Sequence, residues 1–126
     1  MGEVMGKRVL VIEDNRDNMT LIVDILSEFD YEVFQAFDGE AGIAMLEKEI
    51  PDLILMDLSL PRMDGWTAAK TIKSNPKQKD IPIIALTAHA MIGDKERALA
   101  AGCDDYLSKP LDMRQLLNKL NTYLNP

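Results

Sequence analysis

The stretch Leu53-Ile54-Leu55-Met56-Asp57 is an unbroken apolar run that ends on a carboxylate. Two other segments stop as abruptly: Val9-Leu10-Val11-Ile12 at Glu13-Asp14, and Tyr106-Leu107-Ser108 at Lys109-Pro110. Each run is short enough for a strand buried on both faces, and helical patterns separate them. In an open parallel α/β sheet, the loops at the carboxyl ends of neighbouring strands converge on one crevice. Three carboxylates and one ammonium group then meet there. That is the donor set of a divalent-cation and phosphoryl-group site.

Working outward, strand-type runs fall near residues 8–12, 32–36, 53–57, 82–86 and 105–108. Met19, Ile22, Ile25, Leu26 and Phe29 recur every three or four positions and predict a first helix with one apolar stripe. Ala41, Ile43, Ala44, Met45 and Leu46 suggest a second, shorter helix. A third opens at Met63-Asp64-Gly65, contains Ala68, Ala69 and Ile72, and stops at Asn75-Pro76. A fourth runs from about Met91 to Ala101, with Gly102 in the left-handed cap position. Met113, Leu116, Leu117, Leu120 and Leu124 predict an amphipathic fifth. Strand and helix alternate five times, so the expected fold is α/β: (βα)₅ with a parallel sheet. The flavodoxin-like order 2-1-3-4-5 has its switch point between strands 1 and 3. Those strands end in Glu13-Asp14 and Asp57, so topology and chemistry agree.

The chain has 126 residues, one domain's worth, with 47% hydrophobic and 28% charged residues, a balance that argues against disorder. No apolar stretch approaches the ~20 residues needed to span a bilayer, and the N-terminus lacks a secretory pattern. The lone Cys103 excludes an internal disulfide and fits a reducing, cytoplasmic location. A net charge of −7 disfavours nucleic acid and anionic membrane, leaving proteins as the expected partners.

Taken singly, the polar residues at the strand ends have ordinary explanations. Glu13-Asp14 would cap a helix and suit its dipole, and Asp57 could cap a loop. In one crevice, however, three like charges repel unless a cation or proton intervenes. Mg²⁺ takes oxygen ligands and commonly uses one or two carboxylates plus substrate phosphate. Mg²⁺ and Lys109 together balance Glu13, Asp14 and Asp57, so the site could accept a phosphoryl group on Asp57. Thr87 ends the run Ile83-Ile84-Ala85-Leu86 and is either a hydroxyl donor to that group or a helix N-cap. His89, the single histidine, reads as an exposed loop residue, and Trp66 as a residue at the start of the third helix. Tyr106 is either an ordinary strand aromatic or a ring that changes environment.

Five separately spaced motifs then carry a resemblance. Val11-Ile12-Glu13-Asp14-Asn15, Asp52 to Asp57, the following Pro61 with Asp64 and Gly65, Thr87-Ala88, and Tyr106-Leu107-Ser108-Lys109-Pro110 together resemble a response regulator receiver domain. The likeness spans roughly Lys7 to Leu124. Thr87-Ala88-His89-Ala90-Met91 with Gly93-Asp94 and Ala101-Gly102-Cys103 is most like the single-domain DivK-like receivers and the receivers of hybrid histidine kinases.

The resemblance implies that Asp57 takes a phosphoryl group from a phosphohistidine on a histidine kinase or His-phosphotransfer protein. It implies Mg²⁺ on Glu13, Asp14, Asp57 and the main-chain carbonyl of Ser59, with Thr87 and Lys109 on phosphoryl oxygens. Thr87 and Tyr106 would relay the change to the face formed by helix 4, strand 5 and helix 5. The Lys109-Pro110 bond is expected to be cis. Glu13 stands where many members carry Asp, so its metal contact could be longer or water-mediated; Ser59 and His89 occupy positions where the family tunes phosphoryl lifetime. The expected organisation is a single receiver domain over residues 1–126 with no output domain, signalling to an unidentified downstream protein by contact.

Other function classes fit less well. A haloacid-dehalogenase-type phosphohydrolase needs a second Asp two residues after the nucleophile, where Ser59 stands. A flavodoxin-like FMN binder needs a hydroxyl- and glycine-rich loop after strand 1, where Glu13-Asp14-Asn15 would repel phosphate. A receiver excised from a hybrid kinase and a phosphorylation-independent interaction module remain as alternatives.

Overall fold

A computed structural model describes residues 7–58, 65–87 and 94–125. Its elements alternate: β1 (Arg8–Ile12), α1 (Arg16–Glu28), β2 (Glu32–Ala36), α2 (Gly39–Lys48), β3 (Leu53–Asp57), α3 (Gly65–Lys73), β4 (Ile83–Thr87), α4 (Asp94–Ala100), β5 (Asp105–Ser108) and α5 (Met113–Leu124). The strands form one parallel sheet in the order β2-β1-β3-β4-β5. The expected openings of the third and fourth helices at Met63-Asp64 and Met91 lie outside the described residues.

Every residue of the central strands β3 and β4 is buried. This is why they read as continuous apolar runs rather than alternating ones. Their side chains divide between two layers. Ile54, Met56, Ile83 and Ala85 pack with Leu46 of α2, Ala68, Ala69 and Ile72 of α3, and Ala98 of α4. Leu53, Leu55, Ile84 and Leu86 pack with Ile22 and Leu26 of α1 and Leu116 and Leu120 of α5. Truncating one of the large members, such as Leu55 or Ile72, to Ala should cost about 2–5 kcal/mol.

Local chemistry sets the helix starts. Asn15 caps α1 by accepting from Asn18 N at 2.9 Å, Asp38 caps α2 from Ala41 N at 2.7 Å, and Asp112 caps α5. Gly102 follows α4 with φ +103°, a conformation that suits glycine. Two expected stripe residues fall outside the core. Phe29 is the non-helical C-cap of α1 and 41% exposed, because the chain turns out of the helix there through Asp30 at φ 69°. Met113 opens α5 and is 49% exposed. Periodicity continued both stripes one position past the point where the helix presents them to the sheet. Among the described residues, no helix is long and apolar enough to cross a membrane.

Candidate metal and phosphoryl site

Register brings the polar strand ends together. Ile12 pairs with Met56, which sets Glu13 beside Asp57. Asp57 pairs with Leu86, and Leu58 N donates to Leu86 O at 3.0 Å, which sets Thr87 next along. Thr87 pairs with Ser108, and its carbonyl accepts from Lys109 N at 2.7 Å. Four strands thus deliver Glu13, Asp57, Thr87 and Lys109 to one edge of the sheet.

Asp57 and Glu13 are buried, with side chains 3% and 0% exposed, whereas Asp14 is exposed. Each of the three carboxylates offers an oxygen, and these oxygens lie within 4.8 Å of one another. Lys109 Nζ enters from β5, 3.1 Å from Asp57 Oδ2 and 2.9 Å from Glu13 Oε1. The contact with Asp57 is a hydrogen bond and that with Glu13 an ion pair; among the described residues Glu13 Oε1 has no partner in hydrogen-bond geometry. Glu13 Oε2, by contrast, accepts from Asn15 N at 3.0 Å. Lys109 sets one positive charge against three carboxylates, which leaves net negative charge for a further cation to offset. This donor set suits a hard divalent cation.

The charges act on one another. Burial pushes the Glu13 carboxyl above its usual range and the Asp57 charge adds to this, while Lys109 and the Asn15 N–H pull the other way. For Lys109, burial disfavours the ammonium, but Glu13 and Asp57 together outweigh it and hold its pKa above the ordinary value. Lys109 is therefore a permanent cation at neutral pH.

Thr87 is the last residue of β4 and buried. Tyr106 pairs with Ala85, two positions before Thr87, so both side chains leave the same face of the sheet. Tyr106 is partly buried against the α2–α4 layer. The Lys109-Pro110 peptide is cis. Pro110 and Leu111 join Glu13, Asn18, Leu21 and Lys109 in lining a cleft of about 380 Å³ beside the acidic cluster. Ser59 and His89, with Pro61, Asp64 and Ala88, lie outside the described residues.

Gly65, a motif residue at the expected opening of the third helix, is held close to the end of β3. A Cβ there would stand 2.6 Å from Asp57 O and 2.6 Å from Leu58 Cα. Gly65 N also donates to Leu58 O at 3.3 Å, so α3 begins hard against the end of β3. The lone glycine at a strand-to-helix return was the available signal.

The carboxyl edge of this sheet thus carries an acidic triad and a lysine. The response regulator receiver domain family is matched over residues 9–121, and the chain belongs to it. It is a receiver domain of two-component signalling. It is 38% identical over 120 residues to the polar-differentiation response regulator DivK of Brucella anthropi, covering 95% of this chain and 98% of that one. Among solved structures it resembles the receiver domain of a Pseudomonas aeruginosa sensor histidine kinase with a magnesium ion coordinated in its active-site cleft. There the TM-score is 0.89 at 38% identity, covering 96% of this chain and 99% of that one. It also resembles a co-crystal structure of the Saccharomyces cerevisiae phosphotransfer protein Ypd1 with the receiver domain of its response regulator Ssk1, with a TM-score of 0.89 at 32% identity, covering 94% and 89%.

Proposed function

We propose that Asp57 is the phosphoacceptor, taking a phosphoryl group from a phosphohistidine on a histidine kinase or His-phosphotransfer protein. The observation that carries this is the Asp57 carboxylate itself. It closes a fully buried central strand, shares its surroundings with Glu13 and Asp14, and is 3.1 Å from a permanent cation. A carboxylate oxygen of Asp57 attacks phosphorus, the P–N bond to the imidazole breaks, and a mixed anhydride forms. Lys109 lies where negative charge gathers on the phosphoryl oxygens, and in a buried site such a donor is worth more than in water. Thr87, at the end of the adjacent strand, supplies a hydroxyl donor to the same group.

Glu13, Asp14 and Asp57 would hold Mg²⁺, with the main-chain carbonyl of Ser59 as a further ligand. When bound, the ion would offset the carboxylate repulsion and polarise the phosphoryl oxygens. The same residues would assist attack of water on the acyl phosphate, which breaks the bond between the Asp57 carboxylate and phosphorus and releases inorganic phosphate, so the domain promotes both its own phosphorylation and its own dephosphorylation.

Output follows from the sheet face shared by Thr87 and Tyr106. As Thr87 is drawn toward the phosphoryl group, Tyr106 adjusts against its apolar layer and alters the surface of α4, β5 and α5. A downstream protein then reads that surface. Cys103 is a free, buried thiol and the donor is a phosphohistidine protein, which together support a cytoplasmic setting.

Incubation with phosphoramidate and Mg²⁺ tests the reading. Intact mass spectrometry should show one phosphoryl group added to wild type and none to Asp57→Asn. Thr87→Ala should still be phosphorylated, while losing most of the phosphorylation-dependent chemical-shift change at Tyr106.

A further inference from the structure

A groove of about 210 Å³ runs between α3 and α4, lined by Trp66, Lys70, Arg97, Ala100 and Ala101. It shares no residue with the acidic cluster or the cleft beside it. Arg97 lays its guanidinium over the Trp66 ring, 4.4 Å from the centroid. Stacking uses the face of a guanidinium, whereas its N–H donors point outward from the edge. Lys70 stands one turn along α3 from Trp66, so a second cation borders the same furrow. Ala100 and Ala101 supply small side chains next to these groups.

Both charged residues that line the groove are basic. The net charge is −7, and α1 alone carries Asp17, Asp24 and Glu28. Helix α3, however, bears Lys70 and Lys73 and no acid. Lys73 is committed, with its ammonium donating to Lys79 O, Ile81 O and Asp104 Oδ2. Among the residues whose side chains are described, neither Lys70 nor Arg97 forms an ion pair, and Glu96 does not line the groove.

We propose that the α3–α4 groove docks an acidic segment of a protein partner, with carboxylates on Arg97 and Lys70 and an aliphatic side chain against Trp66 and the two alanines. Trp and Arg are the residue types that dominate binding energy at interfaces. An arginine already ordered by stacking loses less freedom when it binds. A carboxylate meets the guanidinium edge in the two-pronged geometry that lysine cannot offer. Because the surface is separate from the crevice, docking there does not depend on the role of Asp57.

The probe is the peptide acetyl-Glu-Glu-Leu-Glu-Glu-amide, titrated into the full chain at low salt. Trp66, the single tryptophan, reports by fluorescence, and calorimetry reads binding independently of the indole. Binding should be saturable, and Arg97→Glu and Lys70→Glu should each weaken it by about tenfold or more. Lys77→Glu makes the same change in net charge outside the groove and should hold affinity within about twofold. A denaturant midpoint for each variant confirms that it folds. The proposal is overturned by an absence of saturable binding, by wild-type affinity in both groove variants, or by an equal loss in Lys77→Glu. It is also overturned if light scattering shows self-association that Arg97→Glu abolishes, which assigns the groove to a second copy of the chain.

Discussion

Lys109 Nζ and Asp57 Oδ2 lie 3.1 Å apart across a sequence separation of 52 residues, and the same ammonium lies 2.9 Å from Glu13 Oε1. One cation therefore sits between two buried carboxylates. Attraction to both holds its own charge in place, and it offsets the repulsion between them.

Lys109→Met keeps the length of the side chain and removes that charge. A charge-assisted contact is worth roughly 1.5–3 kcal/mol, so phosphorylation by phosphoramidate should slow by about 10- to 100-fold. Mg²⁺ affinity should hold or rise, because the variant removes a competing positive charge. Stopped-flow phosphorylation and Mg²⁺ titration separate the two effects; a loss of Mg²⁺ affinity would argue that Lys109 serves only to assemble the carboxylates.

The raised Glu13 carboxyl gives metal binding a pH dependence of definite sign. Below that raised pKa the metal-free protein holds a proton on Glu13, and a divalent cation must displace it. Mg²⁺ affinity should thus increase with pH and level off once Glu13 is ionised. In the acidic range, calorimetry in buffers of different ionisation enthalpy should show proton release on binding. Glu13→Gln should flatten the profile. A wild-type affinity that does not change with pH contradicts this account.

Gly65→Ala should destabilise the fold through contact with main chain rather than with a movable side chain. The added methyl meets Asp57 O and Leu58 Cα at 2.6 Å, and neither can move without shifting β3. Overpacking of this kind costs about 1–3 kcal/mol. The urea midpoint should fall and phosphorylation should slow. An unchanged midpoint would show that α3 can back away from the strand at no cost.

Much of this was legible in the sequence, and the reasons are specific. Leu53 to Met56 and Ile83 to Leu86 are buried on both faces, so their unbroken apolarity marked central parallel strands. The polar stops at Glu13-Asp14, Asp57 and Lys109 then fell at strand ends, where parallel topology gathers them. The contacts that the sequence does not mark are those made by long polar side chains. Lys73 is bonded to two carbonyls and Asp104, which also accepts from Ile83 N and so ties the lower ends of α3 and β5 together. Lys119 meets both oxygens of Asp105, and Tyr123 donates to Asp104 O and Asp105 Oδ2. No periodicity distinguishes these lysines from solvated ones, because the pairing depends on where helices dock. Phe29 and Met113 failed for a related reason: a stripe records spacing but not where the helix stops facing the core.

The most direct test of the central claim is the position of the phosphoryl bond. After phosphorylation with Mg²⁺ present, borohydride reduction converts an acyl phosphate of aspartate to homoserine, and tandem mass spectrometry locates the converted residue. The account predicts homoserine at position 57 and nowhere else. Conversion at Asp14, or a phosphorylated wild type in which residue 57 is still aspartate after reduction, would contradict it.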